Sequence, residues 1–155
     1  MTHPNIDLIR RYSEALTAGK AADALPFYTE DLALHIPGRS PHAGTFRGQD
    51  AVLAYYTRLF RDTDGAFTPL GVDDILASDD HAASLVRWRV ERNGRSIEID
   101  RVVIYRIEDG RIAEIWVRDW DQYAYDELFA DVAQTGSPGR SAVTGAGGGS
   151  APSAR

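Results

Sequence analysis

Two charged residues stand in apolar surroundings in the second half of the chain. Residues 97–107 alternate Ile97, Ile99, Arg101, Val103, Tyr105 and Ile107 on one side, and residues 113–119 alternate Ala113, Ile115, Val117 and Asp119. A carboxyl on an apolar wall has its charged form disfavoured by desolvation, which suits proton transfer, and a nearby guanidinium opposes that shift. Asp119 is therefore the leading candidate for a general acid/base. Arg101 is the candidate cation for an enolate, carboxylate or epoxide oxygen. The competing reading is a buried ion pair between the two, because a cation left alone there is costly. Tyr12 offers a hydroxyl to an oxyanion, or else packs as a core tyrosine with its tip bonded. His35 titrates in the range of a general base, although strand alternation turns Ile36 inward and His35 away. His42 lies in a loop placed to cover a pocket mouth. Trp88, Tyr105, Tyr56 and Phe60 read as pocket or core lining.

Other chemistries have no footing in the sequence. There is no cysteine, which removes disulfides, thiolate ligands and cysteine nucleophiles. The four histidines, at 3, 35, 42 and 81, are scattered, so no metal centre is expected. No phosphate-binding glycine loop and no serine nucleophile elbow occur, and no cofactor is expected. The net charge of −6, from 17 basic and 23 acidic residues, argues against nucleic acid. The opening MTHPNIDLIRRY lacks the apolar core of a signal peptide, and no apolar run approaches the ~18 residues of a membrane span. A cytoplasmic protein without a membrane partner is expected.

The elements that must position these residues follow from periodicity. Apolar residues make up 43% of the chain, enough for a real core. Helices are expected over about 5–18, with Ile6, Ile9, Tyr12, Ser13 and Leu16 on one stripe, over 21–28, and over 50–61, with Val52, Leu53, Tyr56, Leu59 and Phe60 on one face. Residues 31–36 read as a short strand ended by Pro37-Gly38, followed by a loop to residue 48. Residues 67–77 read as a strand, and three long strands cover about 81–92, 95–108 and 112–120. A last helix begins after Asp121, a good N-cap, and runs to about residue 132. The domain is expected over residues 1–133. Residues 134–155, rich in Gly, Ser and Ala, have little to bury and are expected to be a disordered tail.

Turn chemistry sets the register of the three long strands. Asn93-Gly94 reads as a two-residue hairpin turn, pairing Arg92 with Arg95. Arg89 then opposes Glu98, and Arg87 opposes Asp100. Glu108-Asp109-Gly110 reads as a three-residue turn pairing Ile107 with Arg111, which sets Asp100 opposite Arg118. Such opposite-charge cross-strand pairs contribute ~0.2–1 kcal/mol each. In this register Arg101 opposes Val86 and Val117, and Asp119 opposes Ile99, diagonal to Arg101. The other face mixes charges with Val102, Ile104, Trp116 and Trp120, and exposed tryptophans on a sheet are candidates for an interface.

Helix, helix, short strand, helix and long antiparallel sheet, over about residues 5–132, resemble the nuclear-transport-factor-2-like superfamily. The resemblance is carried by RRYSEALTAGKAADALPFYTEDLALHIPGRSPHAGTFRGQDAV, by IYRIEDGRIAEIW and by the closing DWDQYAYDELF. It implies an α+β fold: a cone-shaped, curved antiparallel sheet with N-terminal helices over its concave face. Ketosteroid isomerases, SnoaL-like polyketide cyclases and limonene epoxide hydrolases share this fold. Against the isomerases, Tyr12 matches the helical phenol. The carboxylate base position is Ile36, beside His35, and the position of the protonated acid is Val103. The aspartate that SnoaL-like cyclases carry after the strand tryptophan is here Val117, with Asp119 two residues on. Arg101 and Asp119 match part of the Asp-Arg-Asp set of the epoxide hydrolases.

The resemblance implies a cofactor-independent enzyme that works by acid–base chemistry on an apolar, oxygenated small molecule such as a polyketide or steroid-like metabolite. Aldol-type cyclisation, isomerisation and epoxide opening are the reactions in view. Asp119, Arg101, Tyr12 and His35 are the catalytic candidates; Trp88, Tyr105, Tyr56, Phe60, Val103, Val117, Ile36 and His42 are the substrate-binding ones. Ile36, Val103 and Val117 in place of acidic groups favour the alternative, a non-catalytic small-molecule-binding or dimerisation module. Relatives commonly dimerise through the sheet, so a homodimer through the outer face is expected.

Overall fold

The structure, a computed structural model, describes residues 1–132. The tail expected from residue 134 lies outside the described residues. Helix α1 (Pro4–Thr17) starts with proline in its first turn, where the missing N–H is not needed, and His3 Nδ1 accepts from the Asn5 amide at 3.1 Å. The short helix expected next is a 3-10 helix (Ala21–Phe27). Strand β1 (Tyr28–Ile36) begins three residues earlier than its alternation suggested. Strand β2 (Gly44–Arg47) occupies part of the expected loop. Helix α2 (Gln49–Asp62) leads to β3 (Phe67–Ala77), β4 (His81–Arg92), β5 (Arg95–Glu108) and β6 (Arg111–Asp119), and the short α3 (Gln122–Leu128) closes the described chain. The Asp121 side chain caps α3 by accepting from the Ala124 amide at 3.1 Å.

The three long strands belong to a six-stranded sheet ordered β2-β1-β6-β5-β4-β3. Every pairing is antiparallel except β1 with β6, which is parallel, so the expected all-antiparallel sheet is mixed at that one seam. Helix α1 packs against β3 and β4, and α2 against β1 and β2. Between helices and sheet lies a continuous core that includes Ile9, Leu34, Val90 and Ile115. Each such fully buried aliphatic side chain contributes about 1.5–3 kcal/mol relative to exposure.

The first hairpin has the expected register, with Arg89 opposite Glu98 and Arg87 opposite Asp100. Arg89 Nη2 donates to Glu98 Oε1 at 2.9 Å, whereas Arg87 turns to Asp73 on β3, at 3.1–3.2 Å. The second hairpin differs. Asp109 and Gly110 both have positive φ (48° and 71°), which is the two-residue turn whose twist matches paired strands. Glu108 therefore pairs with Arg111 and Ile107 with Ile112, and an extra residue then shifts the ladder so that Arg106 meets Glu114. The net displacement from the expected register is two residues. An even shift keeps every side chain on its face, so the inner and outer faces come out as expected while the partners change. Arg118 stands opposite Val102 instead of Asp100, Val117 opposite Val103, and Asp119 directly opposite Arg101.

Candidate active site

A cavity of about 290 Å³ lies between the helices and the concave face of the sheet, close to the lower bound of about 300 Å³ typical of small-molecule pockets. Its wall is mostly apolar. Strands β4, β5 and β6 supply Val86, Trp88, Val103 and Val117, and Ile36 closes the β1 side. Tyr12 enters from α1, Tyr56 and Phe60 from α2, and Tyr105 and Arg101 from β5. The bulged stretch of β3, residues 69–72, forms part of the rim.

Among the described residues Arg101 is the one lining the cavity with a formal charge at neutral pH. Its side chain is 10% exposed. Nε donates to Asp119 Oδ1 at 2.6 Å and Nη2 to Oδ2 at 3.1 Å, a bidentate pair made possible by the direct cross-strand register. The guanidinium carbon also sits 5.7 Å from the ring centroids of Phe67 and of Tyr125 on α3. Burial alone would pull the pKa of Arg101 down, but the Asp119 charge and hydrogen bonds more than offset it and the net direction is up. Two of the five guanidinium N–H donors are used by Asp119.

Asp119 does not line the cavity. Its side chain is 1% exposed and sealed behind Arg101. This placement favours the ion-pair reading over the proton carrier: the carboxylate is paired with Arg101 and does not border the cavity. The electrostatic consequence can be weighed. A unit anion about 3 Å from the guanidinium gains roughly 5 kcal/mol at an effective dielectric of about 20, and a carboxylate roughly 6 Å away returns about half of that. The remainder falls short of the several kcal/mol needed to strip an ion of water. The Arg101–Asp119 pair thus presents a positive end to the cavity without a net charge.

The other polar groups include several phenols, with Ser13, Thr17 and the Trp88 indole. The Tyr12 hydroxyl lies 3.0 Å from that of Tyr28 and 3.5 Å from that of Tyr56, and the Tyr105 hydroxyl lies 3.0 Å from Ser84 Oγ. Burial pushes the pKa of Tyr12, Tyr56 and Tyr105 up, and the other tyrosines add to this at Tyr12 and Tyr105. They stay neutral and act as hydrogen-bond donors rather than bases. The rings of Tyr28 and Tyr105 stand edge-on to Tyr12, with centroids 5.6 and 5.8 Å away.

Neither histidine candidate reaches the cavity. His35 is on the outer face, 2.9 Å from Thr45 Oγ1 and 2.7 Å from Glu114 Oε1, with its ring stacked on Trp116. His42 is buried away from the mouth it was expected to cover, with Nε2 2.8 Å from Asp62 Oδ2 and its ring edge-on to Phe129. The sequence reading passed over Tyr28 and Tyr55. Tyr28 was placed at the end of a helix, whereas it opens β1. Tyr55 had a usable signal: it lies three residues after Val52 and four before Leu59, the residues with which it is buried. No group of three or more residues suited to hold a metal occurs among the described residues, and no described helix is long and apolar enough to cross a membrane.

Residues 9–115 match the family model of the SnoaL-like domain. An uncharacterized protein of Mycobacterium tuberculosis is 28% identical over 134 residues, which span 86% of this chain and 94% of that protein. Among solved structures, Bal32a from a soil-derived mobile gene cassette superposes with a TM-score of 0.76 at 28% identity, over 81% of this chain and 96% of that one. A protein with a cystatin-like fold from Xanthomonas campestris superposes with a TM-score of 0.75 at 29% identity, over 80% and 96% of the two chains.

Proposed function

The chain belongs to the family of SnoaL-like domains, and from that premise we propose that it takes an apolar, oxygenated small molecule of polyketide or steroid-like character into its cone, in the cytoplasm. One observation carries this reading: a single arginine, neutralised from behind by Asp119, faces a mostly apolar cavity of about 290 Å³. Apolar walls supply the affinity through burial. Arg101 and the phenols of Tyr12, Tyr56 and Tyr105 supply donors for the ligand's oxygens.

A second reading, catalysis, draws on those donors. Neutral phenols and a clamped guanidinium around one cavity are suited to hold the oxygen of an enolate as its charge develops. Among the described residues no carboxylate or imidazole lines the cavity, so the reactions favoured are those in which the substrate enolises readily, aldol-type cyclisation or isomerisation. Epoxide opening lacks a carboxylate with access to a water.

Titration with a panel of fused-ring ketones, followed by fluorescence of Trp88 in a chain with Trp116 and Trp120 replaced by Phe, tests the binding reading. Saturable quenching is expected, and Val103→Phe, which narrows the cavity without adding a second indole, weakens or abolishes it. Indifference to Val103→Phe would sink the proposal. Exchange of the bound ketone's α-protons in D₂O, read by NMR, separates the two readings. Catalysis predicts acceleration that Tyr12→Phe and Arg101→Met both diminish; exchange at the uncatalysed rate leaves a binding protein.

A further inference from the structure

Asp119 touches no part of the cavity, yet it governs what Arg101 can offer to a ligand. The two hydrogen bonds, at 2.6 and 3.1 Å, fix the guanidinium plane, and Phe67 and Tyr125 hold its position from the sides. From this geometry we infer that Asp119 is the positioning residue that sets ligand charge specificity, making the cavity select uncharged carbonyl compounds over carboxylates of the same size and shape. The inference rests on the cavity being the ligand site.

Three observations converge on it. Among the described residues Arg101 is the sole lining residue with a formal charge, and its charge is matched by a carboxylate sealed directly behind it. The remaining polar groups on the wall are hydroxyls and the Trp88 indole N–H, which donate to a carbonyl oxygen but cannot neutralise a carboxylate. The rest of the wall is apolar, so an entering anion gives up its water without finding an uncompensated cation. A carbonyl gives up far less, and its lone pairs meet the positive end of the pair.

The experiment compares 2-acetonaphthone with 2-naphthoate, which share a ring system, by isothermal titration against the full chain at neutral pH. The wild-type chain is expected to bind the ketone at least about tenfold more tightly, and Asp119→Asn is expected to shift that ratio by about tenfold or more toward the carboxylate. Tighter naphthoate binding by the wild type overturns the inference. So does a folded Asp119→Asn chain, checked by circular dichroism, whose ratio is unchanged. Asp119→Glu, which keeps the charge, should retain the ketone preference, and it guards against reading a packing defect as a change in specificity. Should Asp119→Asn not fold, the wild-type ratio decides alone. If neither probe binds, or if Val103→Phe binds both as well as the wild type does, the ligand-site reading itself fails, a result distinct from binding with the wrong preference.

Discussion

Removing either member of the Arg101–Asp119 pair leaves the other as an uncompensated charge in a nearly dry interior. Arg101→Met and Asp119→Leu should each destabilise the fold by about 3–5 kcal/mol, while the double variant should recover most of that loss. Urea denaturation of the three chains reads this out, and additive losses would show that the two side chains do not depend on each other. His42 makes a second residue-level prediction. With Nε2–H donating to Asp62, its buried Nδ1 has no partner, so a proton added there gains no acceptor. Burial, opposed by Asp62 and aided by the charges of Arg58 and Arg92, lowers the His42 pKa. The unfolded chain then takes up the proton first. The stability contributed by neutral His42 is full above about pH 6.5, the unfolded value, and is lost as pH falls below it toward the folded pKa. Asp62 titrates in a lower window: burial raises its pKa, but His42 and Arg61 hold the net value below the usual carboxylate range. Urea midpoints measured at about pH 7.5 and about pH 5 should therefore separate in the wild type and draw together in His42→Leu. The sequence showed that Arg101 and Asp119 were out of place on their wall. Which of them faces the cavity depends on side-chain packing from Phe67 and Tyr125, elements remote in sequence, and was not legible.

At the scale of elements, hairpins carried the legible information and loops did not. Asn93-Gly94 dictates one register because both positions take positive φ without strain in those residue types (51° and 73°). Asp109-Gly110 adopts the same turn, which displaces the register by one from that of a three-residue turn, and the residue added after Ile112 displaces it by one more. A bulge has no strong local signature, so the displacement by two was invisible, and so was the direct Arg101–Asp119 pairing that it creates. The 37–43 loop is a similar case, since what holds it is tertiary. The amides of Arg39 and Ser40 donate to Asp126 on α3 at 2.9 and 3.1 Å, and the Arg58 side chain donates to the Pro41 carbonyl at 3.2 Å. Gly38 permits this, with φ of 92° and a backbone so close to α3 that an added Cβ would lie 2.3 Å from Gln122 Nε2 and 2.4 Å from Asp126 Oδ1. Gly38→Ala combines backbone strain with that clash, and a loss of about 1–3 kcal/mol is expected. Thermal melting checks it, together with hydrogen exchange, which should show the Arg39 and Ser40 amides losing protection. A melting temperature equal to that of the wild type would mean that α3 yields and does not pin the loop.

At the scale of the whole molecule, the sheet divides the protein into a face that encloses a cavity and a face that does not. The outer face carries Ile104, 38% exposed, directly across from Trp116, whose indole stacks on His35; Trp120, 71% exposed, lies at the end of β6. Around them Arg106 pairs with Glu108 and Glu114. A two-fold interface must be complementary to itself, and a patch bearing an apolar centre with both signs of charge at its rim meets that requirement. We propose that this face joins two copies of the chain, and Ile104 provides the test. Strand alternation points Val103 and Tyr105 into the cavity and Ile104 away from it, so Ile104→Asp places a charge in the proposed interface without touching the ligand site. Sedimentation equilibrium should give a dimer for the wild type and a monomer for Ile104→Asp, with ketone binding retained in both. The formal charge of −6 works against association; added salt screens that repulsion between copies and should strengthen the wild-type dimer at low ionic strength. A wild-type chain that stays monomeric at every concentration and salt level rules the interface out. A variant that becomes monomeric and also loses the ketone would instead mean that the cavity depends on the partner copy for its shape.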